Sequence, residues 1–240
     1  MRGLPDFLII GAPRCGTSSL FLNFLQHPQI DGPQCKEVHF FNRNKGYRRG
    51  IRWYKNQFPE IKKNVLCFEA SPAYFYQPIC VERIFKHLPS CKFILLLRNP
   101  VDRAISEYSR WIKPKKWNPH ELMIKDPCHP FHVNFPSLEI GIYIKSLRRW
   151  LKYFSLDRIL IIKSEDFFEN EKKIILQCFD WLGVELVDIG KPLFYDQKGM
   201  VRERVPYRNK VPDDVKEYLK EFYVPYNREL YKLLGRNFGW

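Results

Sequence analysis

The chain has 240 residues, 45% hydrophobic and 16% aromatic, enough for one large domain with a sizeable buried core. A formal net charge of +14 and a pI near 9.5 suit a polyanionic partner: nucleic acid, an anionic membrane, an anionic polysaccharide or a highly charged nucleotide. No run approaches the ~20 apolar residues of a bilayer span, and seven cysteines without a CxxC pair or zinc spacing give no disulfide framework and no metal site.

Met1 and Arg2 lead almost at once to Asp6 and a strand-like run, without a signal-peptide pattern, so a cytoplasmic protein is expected. The first strand is expected at Phe7–Ile10, followed by a helix at Thr17–Gln26 with Leu20, Phe21, Phe24 and Leu25 on one face. Further short, continuous apolar runs at Val65–Phe68, Phe93–Leu97 and Ile159–Ile162 read as buried strands. Helical patterns lie between and after them at Ile79–His87, Pro100–Ile112, Leu138–Phe154 and Glu169–Trp181. Such alternation predicts an α/β protein, a parallel sheet flanked by helices on both faces. The Pro- and His-rich stretch 113–136 has no period and is expected to be a lid or substrate loop inside a single domain spanning 1–240. Val211 to Trp240 reads as two helices with an apolar tail.

Two stretches carry chemistry. In "FLIIGAPRCGTSSL", Gly11 and Gly16 have the separation of a nucleotide-binding P-loop, but Thr17 and Ser18 follow and the lysine is missing. Arg14 lies inside the loop instead. Read alone, this is either an oxyanion cradle at a helix N-terminus or a tight turn of small residues. In "FILLLRNPVDRAISEYSRW", a strand ends in Arg98 and Pro100 opens a helix. Arg98 and Ser106 either converge on a phosphate or belong to a solvated, salt-bridged face.

Together these stretches resemble the PAPS-dependent sulfotransferases, where PAPS is 3′-phosphoadenosine 5′-phosphosulfate. "KEVHFF" at 36–41, "SPAYF" at 71–75, "GIYIKSLRRWLKYF" from Gly141 and the ending "PYNRELYKLLGRNFGW" look like the heparan sulfate type, so the resemblance spans nearly the whole chain. It implies a P-loop-like sulfotransferase fold, PAPS as donor, PAP as product and no metal. By resemblance, the turn of Arg14, Cys15, Gly16, Thr17 and Ser18 holds the 5′-phosphosulfate, and Arg98 and Ser106 hold the 3′-phosphate. Lys198 and Gly199, with Arg202 or Arg204, match a further element at that phosphate. A phosphosulfate carries less charge than a triphosphate, so one loop cation suffices.

Arg14 stands where the heparan sulfate branch has a catalytic lysine. As a permanent cation it acts electrostatically rather than as an acid. Glu37 matches the family's general base and His39 a histidine of the same pocket, although "EVHFF" alone also reads as a strand edge. For the acceptor, the missing disulfide and signal favour a small-molecule natural product bearing a hydroxyl or amine. The alternatives are a heparan-sulfate-like polysaccharide, served by the basic, aromatic "RNKGYRRGIRW", and a non-catalytic polyanion binder. No nucleic-acid motif and no membrane span are present, and the oligomeric state is not legible.

Overall fold

The computed structural model describes residues 3–111, 118–123, 137–190 and 211–240. Within them, β1 (Phe7–Gly11), β2 (Ile30–Asp31), β3 (Leu66–Ala70), β4 (Lys92–Leu97) and β5 (Ile159–Lys163) form a parallel sheet in the order β2-β3-β1-β4-β5. The β1 run FLIIG is buried at every position because strands flank it on both edges and helices cover both faces. The expected fold class is the one observed.

Register sorts the side chains between the faces. Phe7 pairs with Phe68 and Lys92, whereas Leu8 pairs with Glu69 and Phe93. On the first face, helix α1 (Thr17–Phe24) packs Phe24 against Phe7, Phe68 and Phe179. Phe179 belongs to a later helix of the same layer, Glu171–Leu182. Truncating such a fully buried ring to Ala costs ~3–5 kcal/mol. On the second face, Trp150 and Phe154 meet Phe93 edge-on at 5.0 and 4.6 Å. A buried carboxylate, Glu69, shares that apolar face.

The remaining helices in chain order are α2 (Asn44–Tyr47), α3 (Gly50–Lys55), α4 (Ala73–Tyr76), α5 (Pro78–His87), α6 (Pro100–Trp111), α7 (Ser137–Ile140), α8 (Tyr143–Trp150), α9 (Ser164–Glu169), α10 (Glu171–Leu182) and α11 (Asp213–Leu234). Local chemistry sets their ends. Pro100 opens α6 and the Asn99 side chain accepts from the Val101 N–H at 3.0 Å. Asn170 caps α10 through the Lys173 N–H, and Gly183 closes it at φ 79°.

Three expectations need correction. The helix expected over 138–154 is broken at Gly141–Ile142, where Tyr223 Oη reaches in to donate to the Leu138 carbonyl at 2.9 Å. The helix expected at 169–181 is α10, but a further helix that was not expected, α9, precedes it, the two being separated by the capping Asn170. The two expected after Val211 are one helix running through Pro225, held by burial of Val215, Leu219, Tyr223 and Leu230. Of the stretch 113–136, the described part is a 3-10 turn at Pro119–Met123. It is pinned by buried Leu122 and by the Tyr108 hydroxyl, which donates to the Asn118 carbonyl at 2.7 Å.

Candidate active site

The cradle forms where β1 feeds α1. Gly16 caps the helix at φ 96°, a left-handed conformation that glycine adopts without strain. A Cβ there would lie 2.9 Å from Phe168 and 3.2 Å from Phe167, so the aromatic wall of α9 closes on the turn. The first N–H groups of α1 have no intrahelical acceptor by helix geometry, and no acidic residue sits in that first turn. Thr17 is buried and Ser18 half-buried. Free donors, the positive helix end and the absence of a competing carboxylate in the first turn fit a phosphosulfate.

Cys15 contributes less than its place suggests. Its N–H is already donated to the Ala12 carbonyl at 3.3 Å and its carbonyl accepts from the Ser164 hydroxyl at 2.8 Å. Its thiol is buried against Tyr143 Oη, and burial pushes the thiol pKa up despite the charge of fully buried Arg103.

The second clamp lies beside the first. Arg98, at the end of β4, donates from Nη1 to the Arg14 carbonyl at 3.4 Å, and its own carbonyl accepts from Tyr143 Oη at 2.8 Å. Its guanidinium sits 5.8 Å over the Phe168 ring, at a pocket of about 230 Å³ lined by Arg98, Asp102, Glu165, Phe168 and Glu169. Arg14, at φ 69°, turns its side chain out of the cradle toward α6, where Nε donates to Ser106 Oγ at 3.0 Å and lies 3.9 Å from Glu107. Burial lowers the Arg14 pKa, with Glu107 opposing. The structure therefore brings Arg14, Arg98 and Ser106 into one basic corner.

The carboxylate–histidine pair stands on the turn after β2. Glu37 and His39 both have left-handed backbones, φ 64° and 56°, which cost non-glycine residues ~1–3 kcal/mol each. Their side chains meet, His39 Nε2 lying 3.3 Å from Glu37 Oε2, with His39 Nδ1 3.3 Å from Asn42 Oδ1. Lys36 donates to Glu37 Oε1 at 2.6 Å. Burial works to raise the Glu37 carboxyl, but the His39 hydrogen bond and the Lys36 ammonium outweigh it and hold the pKa at about 2. Glu37 is thus ionised and able to accept a proton.

The segment Ser71–Phe75 links the two parts. A Cβ on Gly11 would meet Phe75 Cβ at 2.7 Å and the Pro72 carbonyl at 3.2 Å, while Ser71 Oγ accepts from the His39 N–H at 3.4 Å. Lys198, Gly199 and Arg202 lie outside the described residues. The sequence reading passed over Ser71 and Tyr74 as individual residues, and it passed over Glu69. The "SPAY" segment offered a signal for Ser71 and Tyr74, whereas nothing local set Glu69 apart from an exposed strand end.

A helix N-terminus free to bind an oxyanion, linked through Ser71–Phe75 to a turn carrying a carboxylate that can take a proton, suits an enzyme that moves a group from an anionic donor. The chain belongs to the sulfotransferase domain family, whose profile matches residues 4–204. It is 31% identical over 258 aligned residues to heparan sulfate glucosamine 3-O-sulfotransferase 6 of Mus musculus and of Homo sapiens, covering 100% of this chain and 74% of theirs. A second mouse relative, heparan sulfate glucosamine 3-O-sulfotransferase 3B1, is 28% identical over 259 residues, with 65% of its length covered. Among solved structures, a sulfotransferase from Alicyclobacillus acidocaldarius superposes with a TM-score of 0.78 at 27% identity, covering 98% of this chain and 97% of that one. The sulfotransferase domain of the Synechococcus PCC 7002 olefin synthase, at 15% identity and a TM-score of 0.58, shares the fold over 92% of this chain and 95% of its own. The protein is a PAPS-dependent sulfotransferase.

Proposed function

We propose that the protein transfers the sulfuryl group of PAPS to a hydroxyl of a heparan-sulfate-like polysaccharide, with Glu37 as general base. The observation that carries this acceptor is a basic ridge beginning six residues after Glu37. Arg43, Lys45, Arg48, Arg49 and Arg52 are all exposed on or beside α2 and α3, and no Asp or Glu occurs from 38 to 59. Arg49 stacks on Trp53 at 4.6 Å and Arg83 on Tyr47 at 4.2 Å, giving flat cationic surfaces suited to a sulfated, carboxylated sugar chain. The relatives named for heparan sulfate favour the same acceptor over the small molecule expected from sequence.

In this reading the first-turn N–H groups of α1 with Thr17 and Ser18 hold the 5′-phosphosulfate. Arg98 and Ser106 hold the 3′-phosphate, to which the family resemblance also assigns Lys198, Gly199 and Arg202. PAPS supplies an electrophilic sulfur and a stable bisphosphate leaving group. Glu37 removes the hydroxyl proton as the acceptor oxygen bonds to sulfur and the bond to the 5′-phosphate breaks, and PAP departs. His39 steadies the carboxylate, and Arg14, turned onto Ser106, adds positive charge beside the 3′-phosphate rather than at the leaving oxygen. A reducing, cytoplasmic setting belongs to this reading and is supported by free thiols at Cys15, Cys35, Cys67, Cys80, Cys91 and Cys178.

The test is sulfate transfer from ³⁵S-labelled PAPS to unsulfated heparosan, heparan sulfate and a panel of phenols, alkaloids and amines, each at low and high salt. A labelled polysaccharide whose KM rises steeply with salt is expected, by analogy with counterion release from nucleic acids. Efficient transfer only to small acceptors, with a salt-independent KM, overturns the acceptor class.

A further inference from the structure

Beneath the proposed base lies a carboxylate that the reaction does not touch. Glu69 is the penultimate residue of β3, with no exposed surface, on a face otherwise apolar. Three hydroxyls converge on it: Tyr54 Oη on Oε2, Ser71 Oγ on Oε1, and Tyr74 Oη shared between Oε1 at 2.9 Å and Oε2 at 3.1 Å. Two of the three also receive backbone N–H groups from the turn that carries Glu37. Ser71 Oγ accepts from His39 N at 3.4 Å, and Tyr74 Oη accepts from Phe40 N at 3.0 Å and Phe41 N at 3.4 Å. Tyr54 Oη makes no such link, although its ring stacks on Phe40 at 4.5 Å.

We infer that Glu69 is a positioning residue for sulfuryl transfer: through Ser71 and Tyr74 it fixes the strained turn that presents Glu37 and His39. The inference rests on Glu37 being the base. Its physical core is proton direction. A hydroxyl that receives an N–H must send its own proton elsewhere, and here both protons go to Glu69. An ionised carboxylate accepts them all, since it has only acceptor sites. Burial raises the Glu69 pKa, and the Ser71, Tyr54 and Tyr74 hydroxyls pull against that rise. An amide at this place would present N–H groups to the same hydroxyls. With its carbonyl on the Oε1 side it would still accept from Ser71 and Tyr74, and only Tyr54, which has no bond to the turn, would have to turn its proton away. Removing the Tyr74 phenol is different, because the N–H groups of Phe40 and Phe41 would then be left unmatched in a buried setting, at a turn already strained at φ 64° and 56°.

Tyr54 supplies the internal control, because Tyr54→Phe and Tyr74→Phe each remove one phenol from the same carboxylate, but only the second loses contacts with the turn. The experiment measures kcat, acceptor KM and PAP affinity by calorimetry for Tyr54→Phe, Ser71→Ala, Tyr74→Phe and Glu69→Gln, with Glu37→Gln alongside. Tyr74→Phe is expected to lower kcat about 10²-fold, the scale of an ångström's misplacement of a reacting group, and Glu69→Gln ~10-fold, because its carbonyl still serves Ser71 and Tyr74. Ser71→Ala is expected to lower it ~10-fold, and PAP affinity should stay within about twofold in all. Tyr54→Phe should keep kcat within about threefold. Equal losses of kcat in Tyr54→Phe and Tyr74→Phe, or wild-type turnover in Tyr74→Phe, overturn the inference. Turnover retained by Glu37→Gln instead removes the base assignment, a separate failure. Should Glu69→Gln not fold, the two phenol variants still decide the question, since each keeps its ring and its packing.

Discussion

The oxyanion cradle and the base turn stand side by side in this protein, yet they are held by different means. The cradle is made of main chain: β1 is clamped between β3 and β4, Gly16 turns it, and α1 begins with its N–H groups already aimed. Its placement follows from the sheet. Residues 36–41 have no such frame, since Glu37 and His39 belong to no strand or helix and both have left-handed backbones. That turn is tied down instead by Ser71, between β3 and α4, and by Tyr74 of α4, with Glu69 beneath them. On the proposed roles, anion capture rests on main chain, while proton transfer rests on a few buried hydroxyls.

Substitutions that separate capture from chemistry sharpen the contrast. The largest effect belongs to Glu37→Gln, which should lower kcat ~10²–10⁴-fold while calorimetry finds PAP binding unchanged. A matching loss of PAP affinity would mean that the two regions are not independent. Arg98→Ala should do the reverse, weakening PAP ~10–100-fold through a lost charged hydrogen bond while leaving turnover at saturation near wild type.

Gly16→Ala tests whether the cradle depends on its backbone. A side chain at φ 96° that also meets Phe167 and Phe168 should cost ~1–3 kcal/mol, lowering the melting temperature and PAP affinity together. The smallest effect is one of pH. Glu37 has its pKa depressed from 4.5 to about 2, so the stabilisation from its contacts is present above the ordinary carboxylate pKa and lost as pH falls toward 2. Lys36→Met removes one of the two restraints. The acid limb of the pH–rate profile should therefore move upward, by less than the full shift because His39 remains. A downward movement would rule out the Lys36 contact as a cause.

Much of the cradle was legible because its signals are local. A continuous apolar strand, a glycine at the turn and hydroxyl residues opening an amphipathic helix are contiguous, and so are Arg98, Asn99 and Pro100. The base turn was legible only by resemblance, since "EVHFF" carries no periodicity that separates a turn from a strand edge. Glu69 was not legible at all. A carboxylate in "LCFEASPAY" reads as an exposed strand end until the β1–β3 register sets Glu69 opposite Leu8.

The helix boundaries teach the same lesson. Asn170 and Gly183 mark their caps in the sequence, whereas the break at Gly141–Ile142 coincides with a tyrosine 82 positions further along the chain, whose hydroxyl bonds the Leu138 carbonyl.

The order of residues determined by itself the parallel α/β architecture, the oxyanion-binding turn and the family, since hydrophobic runs, glycine spacing and helix-opening residues act over a few neighbours. Tertiary structure alone decided that Arg14 leans onto Ser106, that Glu37 is held ionised by Lys36 and His39, and that Glu69 underpins their turn. Those outcomes depend on which donors and acceptors meet across tens of residues, and on whether burial or a nearby charge wins at each carboxylate.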